Sequence, residues 1–461
     1  MNKEGTITAI STPYGTGGIS IIRLSGEKAF CIAERIFKGK VKVVEMKTHT
    51  INYGKIIIPQ QKKVLDYVLL LKMNAPKTYT GEDTIEINCH GGPLVTQKIL
   101  EVLLNEGARL ANPGEFTERA FLNGKMDLSQ AEAIVDLINA KTQRSIKAAI
   151  NQLEGKFSKK INKIREKLVQ ILAHIEVTLD YPEHDIEEIT GEQVIKTAKR
   201  IKKEILRLSE SYFTGRIIKE GINIVITGKA NVGKSSLMNE LAGRNKAIVT
   251  DVPGTTRDII TESINIKGIP VNIVDTAGIR KTKDKVEVIG VNKAKKEIDK
   301  ADLVIMIVDG SEELDKEDIY IFDKIKKHKH ILLVNKTDKA DLKRLEKTYQ
   351  KFKKETEAVI KTSMKKKTGI DELIKNITNM FLVGEVSIDN EYIVTSERHK
   401  NLLDKAIENI DNAIGSYEEK MPLDCIAIDV KEALLKIGKI TGDAIEEEVK
   451  KEIFSKFCIG K

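Results

Sequence analysis

The chain has 461 residues, 41% of them apolar and 31% charged, which suits about three globular domains and excludes a disordered protein. Lys plus Arg number 77 against 68 Asp plus Glu, and the net charge of +9 fits solvated helix faces or a polyanionic partner such as RNA. No apolar run approaches a membrane span, Met1–Gly5 lacks the plan of a signal peptide, and Cys31, Cys89, Cys425 and Cys458 form no C-x-x-C pair, so a cytoplasmic or organelle-matrix protein without a disulfide framework is expected.

Residues 1–118 read as mixed α and β. Thr6–Ser11, Ile19–Leu24, Thr50–Ile58, Leu65–Lys72 and Thr84–Cys89 are β-prone runs. One helix follows Ser25, with Ala29, Phe30, Ala33, Ile36 and Phe37 on one side; another opens at Pro93, a favoured first helical position. From 119 to 216 the apolar period becomes helical, as in Leu128, Ala131, Ile134, Val135 and Ile138, and again in Ile161, Ile164, Leu168, Ile171 and Ile175. Val194, Ile195, Ala198, Ile201, Ile205 and Leu208 repeat the pattern. Residues 217–383 switch to compact apolar runs, Ile222–Thr227, Val271–Asp275, Leu303–Asp309 and Ile331–Asn335, separated by helical segments, which predicts a doubly wound α/β domain. Long helices resume over 384–461. The economical reading makes 119–216 and 384–461 two parts of one discontinuous all-α domain into which the α/β domain is inserted; two separate bundles are the alternative.

Gly228-Lys229-Ala230-Asn231-Val232-Gly233-Lys234-Ser235 matches G-x-x-x-x-G-K-[ST] between a strand and a helix, the context that a phosphate-binding loop requires. Its backbone N–H groups, those of Asn231, Val232 and Gly233 with Ser236 behind them, suit phosphate oxygens at a helix N-terminus. Lys234 is expected on the β- and γ-phosphates and Ser235 on Mg²⁺. Asp275-Thr276-Ala277-Gly278 ends a strand and supplies a carboxylate for the outer shell of Mg²⁺ and a glycine N–H for the γ-phosphate. Asn335-Lys336-Thr337-Asp338 ends another, and a carboxylate there accepts both N1–H and the exocyclic amine of guanine. Ser363, in Thr362-Ser363-Met364, can close over the base. The polar loop Thr250-Asp251-Val252-Pro253-Gly254-Thr255-Thr256 can wrap the γ-phosphate. Ile279 stands where many GTPases hold a water-positioning glutamine, so activation must come from elsewhere; Asp284 and Glu287 are nearby carboxylates.

Together, G-K-x-N-x-G-K-S-S, T-D-x-x-G-T-T-R-D, D-T-A-G and N-K-x-D resemble the potassium-dependent GTPases of the Era/Der/MnmE group. Within it, the chain is similar to the MnmE (TrmE) family of tRNA modification GTPases along its whole length. Gly81-Glu82-Asp83, His90-Gly91-Gly92-Pro93, the run from Pro113 to Lys125, Leu128 to Ala133, and Phe457-Cys458-Ile459-Gly460-Lys461 all read like that family. Ala230, where a proline is usual, is a departure in a variable position.

The resemblance implies an N-terminal α+β tetrahydrofolate-binding and dimerisation domain, a discontinuous helical domain and an inserted P-loop GTPase domain. It implies that Glu287 orients the attacking water, that Thr256 joins Ser235 on Mg²⁺, and that Asn231, Thr250, Val252 (through its carbonyl) and Thr255 hold K⁺. Arg23, Glu82, Lys125 and Lys461 match folate-contacting positions. Cys458 is either a reactive or site-lining thiol or a structural end; Cys31, Cys89 and Cys425 are expected in cores, and His90 in the folate site or a turn. The family forms homodimers and works with the FAD protein MnmG. Together they install an aminomethyl or carboxymethylaminomethyl group on carbon 5 of the tRNA wobble uridine, with carbon from 5,10-methylenetetrahydrofolate and 5-formyltetrahydrofolate as an analogue. The alternative function, a ribosome-assembly switch of the Era/Der type, would need a KH-like RNA module or a second GTPase domain, and neither is legible.

Overall fold

The computed structural model describes residues 5–180, 187–244, 261–275, 297–353, 355–381, 392–443 and 445–460. They fall into two compact units. The first comprises Met1–Val135, Ile161–Arg165 and Leu434–Lys461; the second comprises Asp136–Lys160 and Glu166–Ala433.

The first unit is built on seven strands: β1 (Ile7–Ile10), β2 (Ile19–Ser25), β3 (Phe37–Gly39), β4 (Thr50–Ile58), β5 (Lys63–Met73), β6 (Thr84–His90) and β7 (Arg109–Leu110). Their order is β3-β4-β5-β6-β2-β1-β7, antiparallel except for the β1–β7 pair. Alternation along the strands sends Ile22, Leu24, Ile56, Leu70, Ile85 and Ile87 to one face, where helices Ala29–Ile36 and Pro93–Asn105 cover them with Ile32, Ile36, Ile99 and Leu103. Ile32, rather than Phe30, completes the buried stripe of the first of these helices. Phe37 lies outside that helix: the chain extends at Phe37 (φ −93°, ψ 136°) and enters β3. Its ring occupies the space over Gly54, where a Cβ would sit 2.3 Å from Phe37 Cζ, so only glycine admits it. On the opposite face of the sheet Ile51, Tyr53, Tyr67 and Leu69 are exposed, and the rings of Tyr53 and Tyr67 stack at 6.2 Å.

Helices Glu115–Leu122 and Glu447–Ser455 also belong to this unit and meet through Phe121 and Phe454, whose ring centroids are 6.3 Å apart. The C-terminal tail returns to the end of β1. Ser11 Oγ donates to the Gly460 carbonyl (3.1 Å), and Gly114 N donates to that of Cys458 (3.4 Å).

The second unit carries six strands: β8 (Ile222–Thr227), β9 (Thr261–Ile266), β10 (Ile269–Asp275), β11 (Leu303–Asp309), β12 (His330–Asn335) and β13 (Ala358–Lys361). Their order is β13-β12-β11-β8-β10-β9, parallel except that β9 runs antiparallel to β10. Ile305, Ile307, Ile331 and Leu333 face one side, against Leu237 and Leu241 of helix Lys234–Arg244 and Leu373 and Ile377 of helix Ile370–Phe381. Val304, Met306, Val308, Leu332 and Val334 face the other, against Phe322 of helix Lys316–Ile325 and Leu345 and Phe352 of helix Leu342–Phe352. The central strands β11 and β12 are thus apolar on both faces, as a doubly wound sheet demands. The chain passes from β8 to β10 on one side and then to β11 on the other. The crevice outside the C-terminal ends of β8 and β11 is therefore the topological switch point where such sheets bind ligands.

Helices Glu187–Glu210 and Glu397–Glu418, from before and after the α/β segment, pack together in this unit. Val194, Ala198, Ile201 and Ile205 are buried on one, Leu403, Ala406, Ile410 and Ala413 on the other, and Lys199–Glu418 (3.4 Å) and Lys202–Asp411 (2.5 Å) pair beside the seam. No helix among the described residues is long and apolar enough to cross a membrane.

Candidate nucleotide-binding site

β8 is buried to its end and delivers the chain into Gly228 at φ +139°, where a Cβ would lie 2.3 Å from the Ile307 carbonyl oxygen. Glycine alone lets the loop cross β11 so closely. Asn231 (φ 61°) and Gly233 (φ +111°) turn the loop back before helix Lys234–Arg244 begins, with Ser235 and Ser236 in its first turn. Lys234 Nζ donates to the carbonyls of Gly228 (2.9 Å) and Lys229, folded over the loop where phosphate oxygens would accept its hydrogen bonds instead.

Asn335 ties three pieces together. Its Nδ2 donates to the Val232 carbonyl (2.7 Å), and its Oδ1 accepts from Met364 N (3.2 Å) and Thr362 Oγ1 (3.4 Å). Thr337 supports the same corner, its N and Oγ1 both donating to the Thr362 carbonyl (3.2 and 2.9 Å). Ser363 Oγ donates to Asp338 Oδ1 (2.6 Å), and that bond holds the Asp338 carboxyl below the usual carboxylate range. Lys336, in the left-handed region, pairs with Asp309 Oδ2 at 2.5 Å. The structure thus brings Asn231, Val232, Gly233, Lys234, Ser235, Ser236, Asn335, Lys336, Thr337, Asp338 and Ser363 to one end of the sheet. Asp275 closes β10. The loop Thr250–Thr256, Thr276, Ala277, Gly278, Asp284, Glu287 and Lys461 lie outside the described residues.

One contact was not legible beforehand. Lys229 Nζ lies 2.9 Å from both Asp315 and Asp318 at the start of helix Lys316–Ile325. Burial pulls its pKa down, but the two carboxylates outweigh that and raise it. The same acids also cap that helix: Asp315 accepts from the N–H groups of Glu317 and Asp318.

Among the described residues, no three His, Cys, Asp or Glu side chains gather as a metal site of their own. A cation at this loop would rely on neutral donors such as the Ser235 hydroxyl and the Asn231 amide, together with phosphate oxygens, which is the donor set that hard cations accept beside nucleotides.

In the first unit a second polar cluster surrounds the residues matched to folate contacts. Glu82 Oε2 accepts from Ser25 Oγ (2.7 Å), and both carboxylate oxygens accept from one guanidinium nitrogen of Arg119 (3.1 and 3.0 Å). Arg119, buried and absent from the sequence-based set, also bonds Glu115 (3.1 Å), which Arg109 grips from the other side. Burial pushes the Glu115 carboxyl up, but the Arg109 and Asn112 hydrogen bonds and the two guanidinium charges bring it down to about 2. Lys125 Nζ donates to the Pro76 carbonyl (2.9 Å), and its methylenes lie against Gly81. Arg23 is paired with Glu86 (2.7 Å) and lies over the rings of Tyr79 and Phe116. Gly460 (φ +98°) packs so tightly that a Cβ would sit 2.3 Å from the Ile10 carbonyl oxygen, while Cys458 is exposed.

Two cysteine expectations need correction. Cys89 is buried, but Cys31 is exposed and Cys425 half-buried. Cys31 falls on the solvent side of a helix whose buried positions are Ala29, Ile32, Ala33 and Ile36. His90 is exposed, its Nδ1 2.6 Å from Asp66 Oδ1.

A parallel sheet whose first strand runs into a left-handed phosphate loop, clamped by an N-K-x-D asparagine, defines a P-loop GTPase. The model of the MnmE helical domain matches residues 128–458, and that of the N-terminus of the GTP-binding protein TrmE matches residues 6–125. The tRNA modification GTPase MnmE of Acetivibrio thermocellus is 57% identical over 461 residues, covering 100% of both chains. That of Clostridioides difficile is 48% identical over 464 residues, again covering 100% of both. The chain belongs to the MnmE family. Among solved structures, Era of Aquifex aeolicus is similar over 41% of this chain and 66% of its own, at 27% identity and a TM-score of 0.29.

Proposed function

We propose that this GTPase of tRNA modification is K⁺-dependent and acts on the wobble uridine. The observation that carries GTP as the nucleotide is the corner where Asn335 joins the phosphate loop to Thr362–Met364 and Ser363 orients Asp338. Full-length family membership decides against the ribosome-assembly alternative.

In this reading Asp338 accepts the paired donors of guanine. Lys234 leaves the Gly228 and Lys229 carbonyls for the β- and γ-phosphates. Glu287 orients the attacking water, in the role that Ile279 has no polar atom to fill. Mg²⁺, held by Ser235 and Thr256, supplies positive charge to the phosphates. K⁺, held by Asn231, Thr250, Val252 and Thr255, supplies the charge that an arginine brings in other GTPases.

The division of labour follows the family pattern: 1–118 for folate binding and dimerisation, 119–216 with 384–461 as one helical domain, and 217–383 for GTP. Bound methylenetetrahydrofolate provides the transferred carbon. The cluster around Glu82 and Lys125, with Arg23 and Lys461, would hold the folate, with cations for its glutamyl carboxylates and Glu82 for the pterin donors. Cys458, exposed on the docked tail, would serve that site as a reactive or lining thiol. The uncovered apolar face of β4 and β5 supports the homodimer. MnmG with its FAD is the partner, tRNA the substrate and the cytoplasm the compartment.

The test is hydrolysis in K⁺ against Na⁺. The K⁺ site predicts much faster turnover in K⁺, a preference that Asn231→Ala removes while nucleotide binding persists. Equal rates in the two salts overturn the site.

A further inference from the structure

A rigid corner precedes helix Gln143–Leu153. Ser145 N donates to Thr142 Oγ1 (3.2 Å) and Thr142 N to Ser145 Oγ (3.0 Å), and both residues are buried. This reciprocal cap fixes the backbone at Lys141, directly before Thr142, and at Arg144, between the two capping residues.

Both reach the β9–β10 hairpin. Lys141 Nζ donates to Ser263 Oγ (3.1 Å) and Asn272 Oδ1 (3.5 Å). Ser263 and Asn272 are cross-strand partners, and Ser263 Oγ donates to Asn272 Oδ1 (2.8 Å). Asn272 Nδ2 continues the row to Asn223 Oδ1 on β8 and to the Glu220 carbonyl (both 3.1 Å). The row therefore crosses three strands of a sheet whose neighbouring positions, Val271, Ile273 and Ile224, are buried and apolar. Arg144 lies across the hairpin turn: a Cβ on Gly268 (φ +87°) would come within 2.9 Å of its Cδ and Nε. Lys219, next to Glu220, pairs with Asp136 (2.9 Å) and closes the circuit on the segment that leads to Lys141.

The hairpin's chain connections give these contacts a use. In sequence, β9 begins at Thr261, separated by four residues from the Thr250–Thr256 loop, and β10 ends at Asp275 of D-T-A-G. The hairpin is thus covalently joined, at both roots, to the two segments assigned to the γ-phosphate, while its flank and tip are held by Lys141 and Arg144. A shift at either root pulls along the strands, and a few half-exposed hydrogen bonds can give or re-form without unfolding anything.

We propose that Lys141 and Arg144 are positioning residues that couple the nucleotide state, through the β9–β10 hairpin, to the helices preceding the GTPase domain, so that GTP turnover drives tRNA modification. This rests on the functional reading above.

The experiment compares full-length wild type with Lys141→Ala/Arg144→Ala and with Lys141→Arg. It measures K⁺-stimulated GTP hydrolysis and, with MnmG and tRNA added, wobble uridines modified per GTP hydrolysed. The double variant should hydrolyse GTP within about twofold of wild type and yield at least tenfold fewer modified uridines per GTP; Lys141→Arg should keep the wild-type yield. An unchanged yield in the double variant overturns the coupling role. So does a parallel loss of hydrolysis and modification, which marks a merely structural contact. A wild type that hydrolyses GTP but modifies no tRNA overturns the functional reading, and the coupling falls with it.

Discussion

At the scale of single residues, Asp338 shows what geometry adds to a motif. N-K-x-D was legible because four polar residues followed an apolar strand; that Ser363 Oγ holds the carboxylate at 2.6 Å was not. With that bond favouring the ionised form, guanine recognition should persist as pH falls through the ordinary aspartate range and fail only below it. Asp338→Asn loses one acceptor of the pair, so GTP affinity should fall while selectivity over xanthosine triphosphate falls or reverses, read by competition binding. Glu287→Ala should lower kcat by about 10²-fold with GTP affinity little changed, as loss of water positioning does. Normal turnover with weakened binding would make Glu287 structural instead.

Glu115 and Arg119 were the least legible residues, because E-F-T-E-R-A-F-L reads as an ordinary charged helix. Only the fold reveals that Glu115 is fully buried between two guanidinium groups. Its pKa of about 2 lies below the unfolded value, so its stabilisation is complete above about pH 4.5 and is lost as pH falls toward 2. Glu115→Gln should destabilise the first unit by roughly 3 kcal/mol, the usual cost of stranding a buried partner, and flatten the acid limb of its denaturation profile. Unchanged acid unfolding of that variant would remove the pair from any account of stability.

Elements were legible in proportion to their periodicity. The long helices announced themselves through repeats such as Ile161, Ile164 and Leu168, and the parallel strands through unbroken apolar runs, because burial of one face or of two leaves those patterns. β3 and β7, of three and two residues, are too short to carry a period. β9, T-E-S-I-N-I, hides because Ser263 in its middle faces Asn272 and Lys141 rather than a helix. The C-terminal tail belongs here too. Four residues have no pattern, yet Gly460 is buried and hydrogen-bonded to Ser11. Removing Cys458–Lys461 should weaken formyltetrahydrofolate binding and abolish tRNA modification while GTP binding survives. Gly460→Ala should weaken tail docking in the same direction, since its Cβ meets the Ile10 carbonyl at 2.3 Å. Wild-type modification by the truncated chain would remove the tail from function, and Cys458→Ser tests the thiol separately from the fold.

At the scale of the whole molecule, the sheet of the first unit bears on how copies of the chain associate. Soluble monomers rarely expose a contiguous apolar patch on a flat surface, because each such side chain left in water forgoes the stabilisation of burial. Ile51, Tyr53, Tyr67 and Leu69 are each exposed by 43% or more, and they sit on adjacent strands where Tyr53 pairs in register with Leu69. The stacked tyrosines present two rigid rings, which lose little side-chain freedom when covered. A second copy of the same face would satisfy the patch under two-fold symmetry, since a self-complementary surface needs no other partner. Tyr53→Lys with Leu69→Lys places like charges directly opposite across β4 and β5 without touching the buried side of the sheet. If this face makes the homodimer, the double variant should sediment as a monomer at concentrations where the wild type is dimeric. Its isolated GTP binding should be unchanged. A double variant that remains dimeric would assign the interface elsewhere on the chain.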